Sequence, residues 1–192
     1  MKLLKFLPHA LIIGVLAAFA QWVNDQSIFM EYLGTDSKTG AANFPLLPSW
    51  IVFQTWAIYF IAGCEVKKGI KSSACFILGL LVSWAIVLLG TGTFKGAGSY
   101  AIPLAVGVVA TAVIYMEHIK VIDMIPVYFL ASGGSFFALL NMGKTPQQAM
   151  IISCASLVFG QLLGFATVKL RGGYQAMLDK NNPASLEEKK AA

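Results

Sequence analysis

Residues 72–90 of the chain read SSACFILGLLVSWAIVLLG, a run of nineteen residues without a single Asp, Glu, Lys or Arg. A helix needs about 20 predominantly apolar residues to cross the hydrocarbon core of a bilayer. The run is therefore typical of a transmembrane helix. Because lipid offers the backbone no hydrogen-bonding partner, a helix is also the conformation that such a stretch is expected to adopt.

Five further stretches of similar length are equally apolar, at residues 4–23, 46–62, 98–115, 124–140 and 150–168, and the first of them contains one charged residue, Lys5, near its start. The 192 residues are 57% hydrophobic and 12% charged, with a mean hydropathy of +0.72, which lies outside the balance of a soluble globular domain. The sequence predicts an all-α polytopic membrane protein with about six transmembrane helices. A single transmembrane domain is expected over residues 1–171, followed by a cytoplasmic tail over residues 172–192.

The basic residues predict how these helices are oriented. Of the fourteen, eleven lie at the N-terminus, in the second and fourth connections or in the tail, and three (Lys38, Lys95 and Lys144) lie in the other connections. The positive-inside rule then places both termini in the cytoplasm. The basic residues cluster at span ends and form no stripe with stacking aromatic residues, so we expect the lipid bilayer as a partner and no nucleic acid. The long first connection, residues 24–45, is interpreted as a solvated loop or as a lid with a short re-entrant segment.

Residues that commonly build catalytic and metal sites are scarce. The chain has two histidines, His9 and His118, and three cysteines that form no CxxC pair. It also lacks an HExxH motif and a phosphate-binding loop of the Walker type. We therefore expect no metal, no cofactor and no enzymatic activity.

Two segments of the chain echo each other. Residues 59–63 read YFIAG and residues 128–133 read YFLASG, and each is followed by a span that contains Cys and Gly. Because three helices separate them, the halves 1–92 and 93–171 would lie in opposite orientations in the membrane, as two inverted three-helix repeats. A short echo also arises by chance in a chain rich in Phe and Ala, and the sequence leaves both explanations open.

The fifth stretch has the features of a solute site. Pro126 removes a backbone donor near its start, and the run Ser132, Gly133, Gly134, Ser135 offers backbone groups and hydroxyls near its middle. One interpretation is a broken helix that lines a cavity; the other is that the glycines let a neighbouring helix approach. The predicted substrate pathway is completed by neutral polar and aromatic side chains, namely Gln54, Tyr59, Ser83, Tyr128 and Gln161.

Several short motifs carry a resemblance to a known family. They are Pro48-Ser49-Trp50, Ala57-Ile58-Tyr59-Phe60, Lys68-Gly69, Trp84, the run from Ile125 to Ala131 and Phe136-Phe137-Ala138. Over residues 48–169 the chain resembles the YcdZ-type family of small bacterial inner-membrane proteins, whose function is unknown. The resemblance implies a compact helical bundle in the bacterial inner membrane. It supplies no substrate and no catalytic residues.

The sequence favours a channel or facilitator for a small uncharged or weakly charged metabolite, because the polar groups within the spans are uncharged. Apolar faces on nearly every helix also predict a homo-oligomer. Two alternatives stay open: an accessory membrane protein that binds a cytoplasmic or membrane partner and moves nothing, and an ion-coupled secondary carrier. Cavities that reach the middle of the membrane would favour transport, whereas a dry apolar interior would favour the accessory role.

Overall fold

The computed structural model describes residues 2–25 and 45–181, and the side chains of residues 7–25 and 45–180. Residues 26–44 of the first connection, interpreted above as a solvated loop or a lid, and residues 182–192 of the predicted tail lie outside these residues. Within them, every regular element is helical, which confirms the predicted class.

From residue 45 onward, the elements follow one another with short connections. Helix α1 spans Lys2–Asp25, α2 spans Ser49–Ile61 and α3 spans Val66–Thr91. Helix α4 spans Ala101–Ile114, with 3-10 turns before it at Lys95–Tyr100 and after it at Tyr115–His118. Then α5 (Ile125–Phe129), a π-helix (Leu130–Phe137) and α6 (Ala138–Asn141) form one helical run, which we call the fifth unit. Helix α7 spans Pro146–Asn181.

The helices differ in length in a regular way. Among the residues that the structure describes, four helices are long and apolar enough to cross a membrane: Leu7–Asp25, Val66–Thr91, Lys95–His118 and Pro146–Lys180. The second and fifth predicted spans are shorter, at Ser49–Ile61 and Ile125–Asn141. At about 1.5 Å per residue, α2 extends roughly 20 Å, against roughly 30 Å of hydrocarbon. Instead of six equal spans, each half of the chain therefore has two long helices with a short unit between them.

Helix α7 extends beyond its predicted bounds. It continues to Asn181, so the tail expected from residue 172 begins inside this helix. Gly172 and Gly173 do not end it, because both adopt helical geometry within the run.

Two apolar clusters hold the helices together. One contains Phe76 and Leu80 of α3, Phe136 of the fifth unit and Ile152 of α7, all completely buried. The second joins α1, α2 and α7 through residues that include Ala20, Val52, Trp56 and Leu163. Helices α1 and α4 lie at the periphery and expose apolar side chains. An all-helical chain with such exposed apolar surfaces fits a membrane-embedded protein.

Glycines allow two close helix crossings. A Cβ on Gly160 of α7 would lie 2.6 Å from the Val52 carbonyl oxygen of α2. A Cβ on Gly79 of α3 would lie 2.9 Å from the Tyr128 carbonyl oxygen of the fifth unit. Only a residue without a side chain allows backbones to approach this closely. Each short unit thus crosses a long helix of the other half of the chain.

Candidate functional site

The two short units meet at a neutral polar contact. The Ser135 hydroxyl of the π-helix donates a hydrogen bond of 3.0 Å to Gln54 Oε1 of α2, and Ser135 is completely buried. Gly134 faces the same amide, since a Cβ there would collide with Gln54 Nε2 and lie 2.9 Å from Cδ. Gln54 lies near the middle of α2 and Ser135 near the middle of the fifth unit. The structure therefore brings together three residues of the predicted pathway.

The fifth unit is widened rather than broken. Pro126 is the second residue of α5, where the missing N–H would have no partner within the helix, and the backbone continues as a helix to Asn141. The interruption expected at Pro126 is thus absent. The irregularity lies at Leu130–Phe137, where π-helical geometry joins each N–H to the carbonyl five residues earlier. Such turns are rare and occur frequently at functional sites.

A second polar contact joins α2 to α7. The Thr55 hydroxyl lies 2.9 Å from the Ser156 carbonyl oxygen and also within hydrogen-bonding distance of carbonyl groups in its own helix. Gln161 Nε2 donates to the Thr55 carbonyl oxygen at 3.1 Å. Gln161 Oε1 is buried and has no hydrogen-bond partner among the described residues. One side of Gln161 is therefore fixed, and the other is available to a polar group that enters the interior.

Thr55 and Ser156 are site residues that the predicted pathway omits. The signal that could have found them is the run Ser156, Gly160, Gly164 at intervals of four, a stripe of small residues on one helix face. It predicts a close helix approach at this face of α7. The sequence does not show which helix makes the approach.

The other predicted pathway residues lie in separate places. Tyr59 and Gln161 line a groove of about 530 Å³ between α3 and α7. Tyr128, Ser132 and Gly133 line a cavity of about 220 Å³ between α3, α4 and the fifth unit, and a Cβ on Gly133 would meet nothing within 4 Å. The two glycines of the fifth unit thus differ, because one opens to a cavity and its neighbour packs against α2.

Two predicted residues contribute little to these cavities. Pro126 lines a separate cavity of about 680 Å³ beside Glu117 and Asp123. Ser83 is completely buried and donates 2.7 Å to the Gly79 carbonyl oxygen within its own helix. The hydroxyl of Ser83 is thereby satisfied and faces no solute route.

The groove and the 220 Å³ cavity are separate spaces. They share no lining residue, and neither is lined by Gln54 or Ser135. Phe76 and Phe136 fill the neighbouring core and are completely buried. The residues of the predicted pathway therefore divide among a polar contact, a cavity and a groove.

No Asp, Glu, Lys or Arg is among the described residues that line the groove or the 220 Å³ cavity. Lys71 Nζ of α3 pairs with Asp123 in the connection before α5 at 2.6 Å, and Lys68 pairs with Glu65 at 3.0 Å. No group of three or more His, Cys, Asp or Glu side chains is close enough to hold a metal ion in the described part of the chain.

Comparison with known proteins places the chain in a family. Searches of curated proteins and of solved structures found no match. The profile of one protein family matches residues 10–171, which include Gln54, Thr55, Ser135, Ser156 and Gln161. The chain therefore belongs to the family described as protein of unknown function, DUF1097.

Proposed function

We propose that the protein is a channel or facilitator for a small uncharged or weakly charged metabolite, closed here at the contact between Gln54 and Ser135. In this proposal, the protein crosses a bacterial inner membrane several times and has both termini in the cytoplasm. It also belongs to the YcdZ-type group. The observation that carries it is the meeting of the two short units, in the same position of each half, through neutral polar side chains.

An inverted repeat explains this arrangement. Short or Gly-interrupted apolar segments in corresponding positions of two halves mark the binding site in many transporters. Here the short α2 crosses α7 at Gly160, and the short fifth unit crosses α3 at Gly79, so the crossings are reciprocal. A pseudo-two-fold axis in the membrane plane would relate them, and Gln54 and Ser135 would meet near that axis.

The groups beside the contact between Gln54 and Ser135 suggest which class of solute the protein conducts. The Ser132 hydroxyl and the open Gly133 backbone lie on one side, and Tyr59 and Gln161 lie on another. These are neutral donors and acceptors, which suit an uncharged hydrogen-bonding solute. The cavity of about 220 Å³ is below the range of roughly 300–1,000 Å³ for drug-sized ligands, which favours a very small molecule.

The π-helix supplies a movement that would open the contact. Converting its wide turns to α-helical turns changes the rotation of every residue that follows along the unit. Ser135 would then turn away from Gln54, and the space on the two sides would join. The exposed apolar faces of α1 and α4 would form the surfaces of a homo-oligomer.

One observation favours an accessory protein instead. Ser135 is completely buried, and the Phe76 and Phe136 side chains fill the core beside it. An interior filled by side chains in this way leaves no space for a transported solute, as expected of a protein that moves nothing. An ion-coupled carrier is less favoured, because α2, α3 and the fifth unit contain no Asp or Glu.

Flux through reconstituted protein tests the proposal. Liposomes with the purified chain should shrink or swell faster than empty liposomes when glycerol, urea or another small neutral solute is added. Gly134→Leu should abolish the increase, because the new side chain would occupy the space of the Gln54 amide. The matched control is Gly107→Leu, at an exposed position of α4 where a Cβ meets nothing within 4 Å.

The outcomes separate the two functions. Flux that survives Gly107→Leu and is lost in Gly134→Leu supports the channel. Failure of every solute in the series, or equal loss in both variants, contradicts it and leaves the accessory role.

A further inference from the structure

A groove open to the outside runs between α3 and α7. Its apolar walls include Ile70 and Ile77 of α3 and Val158, Leu162 and Phe165 of α7. Ile70, Val158 and Leu162 are each about 60% exposed or more. The groove is therefore open at the outer surface of the helices. Its volume of about 530 Å³ is in the range of ligand sites.

The groove changes character at one end. It continues into a space of about 580 Å³ through shared lining residues, Tyr59, Val66 and Phe165. This second space contains Lys169, whose Nζ lies 5.5 Å from the centre of the Phe165 ring. A third space of about 460 Å³ shares Cys64, Val168 and Gly172 with the second and contains Arg171. An apolar groove thus leads to two cations.

Lys169 and Arg171 belong to neither of two ion pairs seen among the described side chains. These pairs are Lys68 with Glu65 and Lys71 with Asp123.

The helix surface beside the cations is open. A Cβ on Gly172 or Gly173 would meet nothing within 4 Å. A bulky anionic group can therefore approach Lys169 where the groove ends, whereas Arg171 lies two residues further along α7 and lines the adjoining space.

We propose that this groove binds an anionic phospholipid, with an acyl chain along the apolar walls, the phosphate at Lys169 and the charge of Arg171 in the adjoining space adding to the attraction. The positive-inside orientation puts the cationic end in the cytoplasmic leaflet, where anionic lipids attract juxtamembrane basic groups. Basic pockets between transmembrane helices on that side bind anionic headgroups by the same electrostatics. The lipid site goes beyond the transport proposal and does not depend on flux.

The headgroup arm of the test uses full-length protein in detergent. Binding of phosphatidylglycerol and of phosphatidylcholine with identical acyl chains is measured by native mass spectrometry across a lipid titration. Phosphatidylglycerol should bind more tightly, and Lys169→Gln or Arg171→Gln should each weaken it about fivefold. The control Lys95→Gln removes the same charge before α4 and should leave the affinity unchanged.

The acyl-chain arm fills the groove. Val158→Trp places a large ring among the apolar walls and should weaken binding of the same lipid, whereas Val108→Trp on exposed α4 should not. Circular dichroism and gel filtration verify the fold of each variant. If Val158→Trp does not fold, Leu162→Trp replaces it, because Leu162 is also exposed in the groove.

Several results would overturn the lipid site. They are equal affinity for the two lipids, an equal loss with Lys95→Gln, or no loss with the folded groove variant. Competition by soluble glycerol phosphate at the same concentration as the lipid would show that the headgroup alone binds. A dimer that Val158→Trp dissociates would show that a second copy of the chain occupies the groove.

Discussion

The crossing of α2 and α7 should be intolerant of a single methyl group at Gly160. A Cβ there would lie 2.6 Å from the Val52 carbonyl oxygen and 2.8 Å from the Trp56 backbone nitrogen, and it would strike the Thr55 hydroxyl. Ordinary van der Waals contact begins at 3.4 Å, so α2 must move away by 3.4 − 2.6, or about 0.8 Å. The obstacles are largely backbone atoms, which no rotamer change can remove.

Two effects should lower the free energy of unfolding in Gly160→Ala. Overpacking of a close contact costs about 1–3 kcal/mol. The shift also stretches the 2.9 Å contact between the Thr55 hydroxyl and the Ser156 carbonyl oxygen, and interhelical hydrogen bonds in membranes contribute about 0.6–2 kcal/mol. We therefore expect the free energy of unfolding to fall by about 2–5 kcal/mol.

Unfolding of the protein in mixed micelles by added SDS, followed by circular dichroism, measures this loss. Gly107→Ala is the matched control, because a Cβ at that helical position meets nothing within 4 Å. It should unfold at the same SDS fraction as the original chain or at a slightly higher one, since alanine favours helix over glycine. If Gly160→Ala unfolds together with Gly107→Ala, the backbones of α2 and α7 are not in contact and the reasoning fails.

Two further predictions use other contacts. Thr167→Val removes the acceptor of the Trp56 Nε1 hydrogen bond of 3.2 Å and should lower the free energy of unfolding by about 0.6–2 kcal/mol. In a chain that already carries Trp56→Phe, the same substitution should cause no such loss. If the loss is undiminished there, the hydrogen bond is not its cause. Cys64 is exposed in the connection between α2 and α3, so a membrane-impermeant maleimide should label it only after cells are permeabilised, whereas Lys95→Cys should be labelled in intact cells. The reverse pattern would invert the proposed topology.

The long helices were the most predictable part of the fold. The runs at residues 72–90 and 150–168 lie inside α3 and α7 because an uninterrupted apolar stretch has few alternatives to a helix. The short α2 was harder to predict. Leu46 and Leu47 add to the apolar stretch, but the helix begins only at Ser49, after Pro48 in an extended conformation. Hydropathy counts apolar residues and does not detect where helical hydrogen bonding starts.

The sequence predicted several residues of the site, but it did not predict which of them contact one another. Gln54 and Ser135 are conspicuous as polar residues in apolar stretches, but they are 81 residues apart and no local spacing relates them. The π-helix was also not predictable from the pattern. Its middle contains Gly133 and Gly134, which have no side chain to mark a helix face, so the periodicity of that region does not separate α-helical from π-helical turns.

The reciprocal crossings bear on how the protein is made. The Thr55 hydroxyl and its carbonyl partner on α7 are separated by 101 residues, so a chain that emerges from its N-terminus delivers α2 to the membrane long before its docking surface is synthesised. During that interval, the Thr55 hydroxyl can bond only to carbonyl groups of its own helix, and a helix of 13 residues is shorter than the hydrocarbon layer. A chain that stops before α7 is made therefore lacks the surface against which α2 packs.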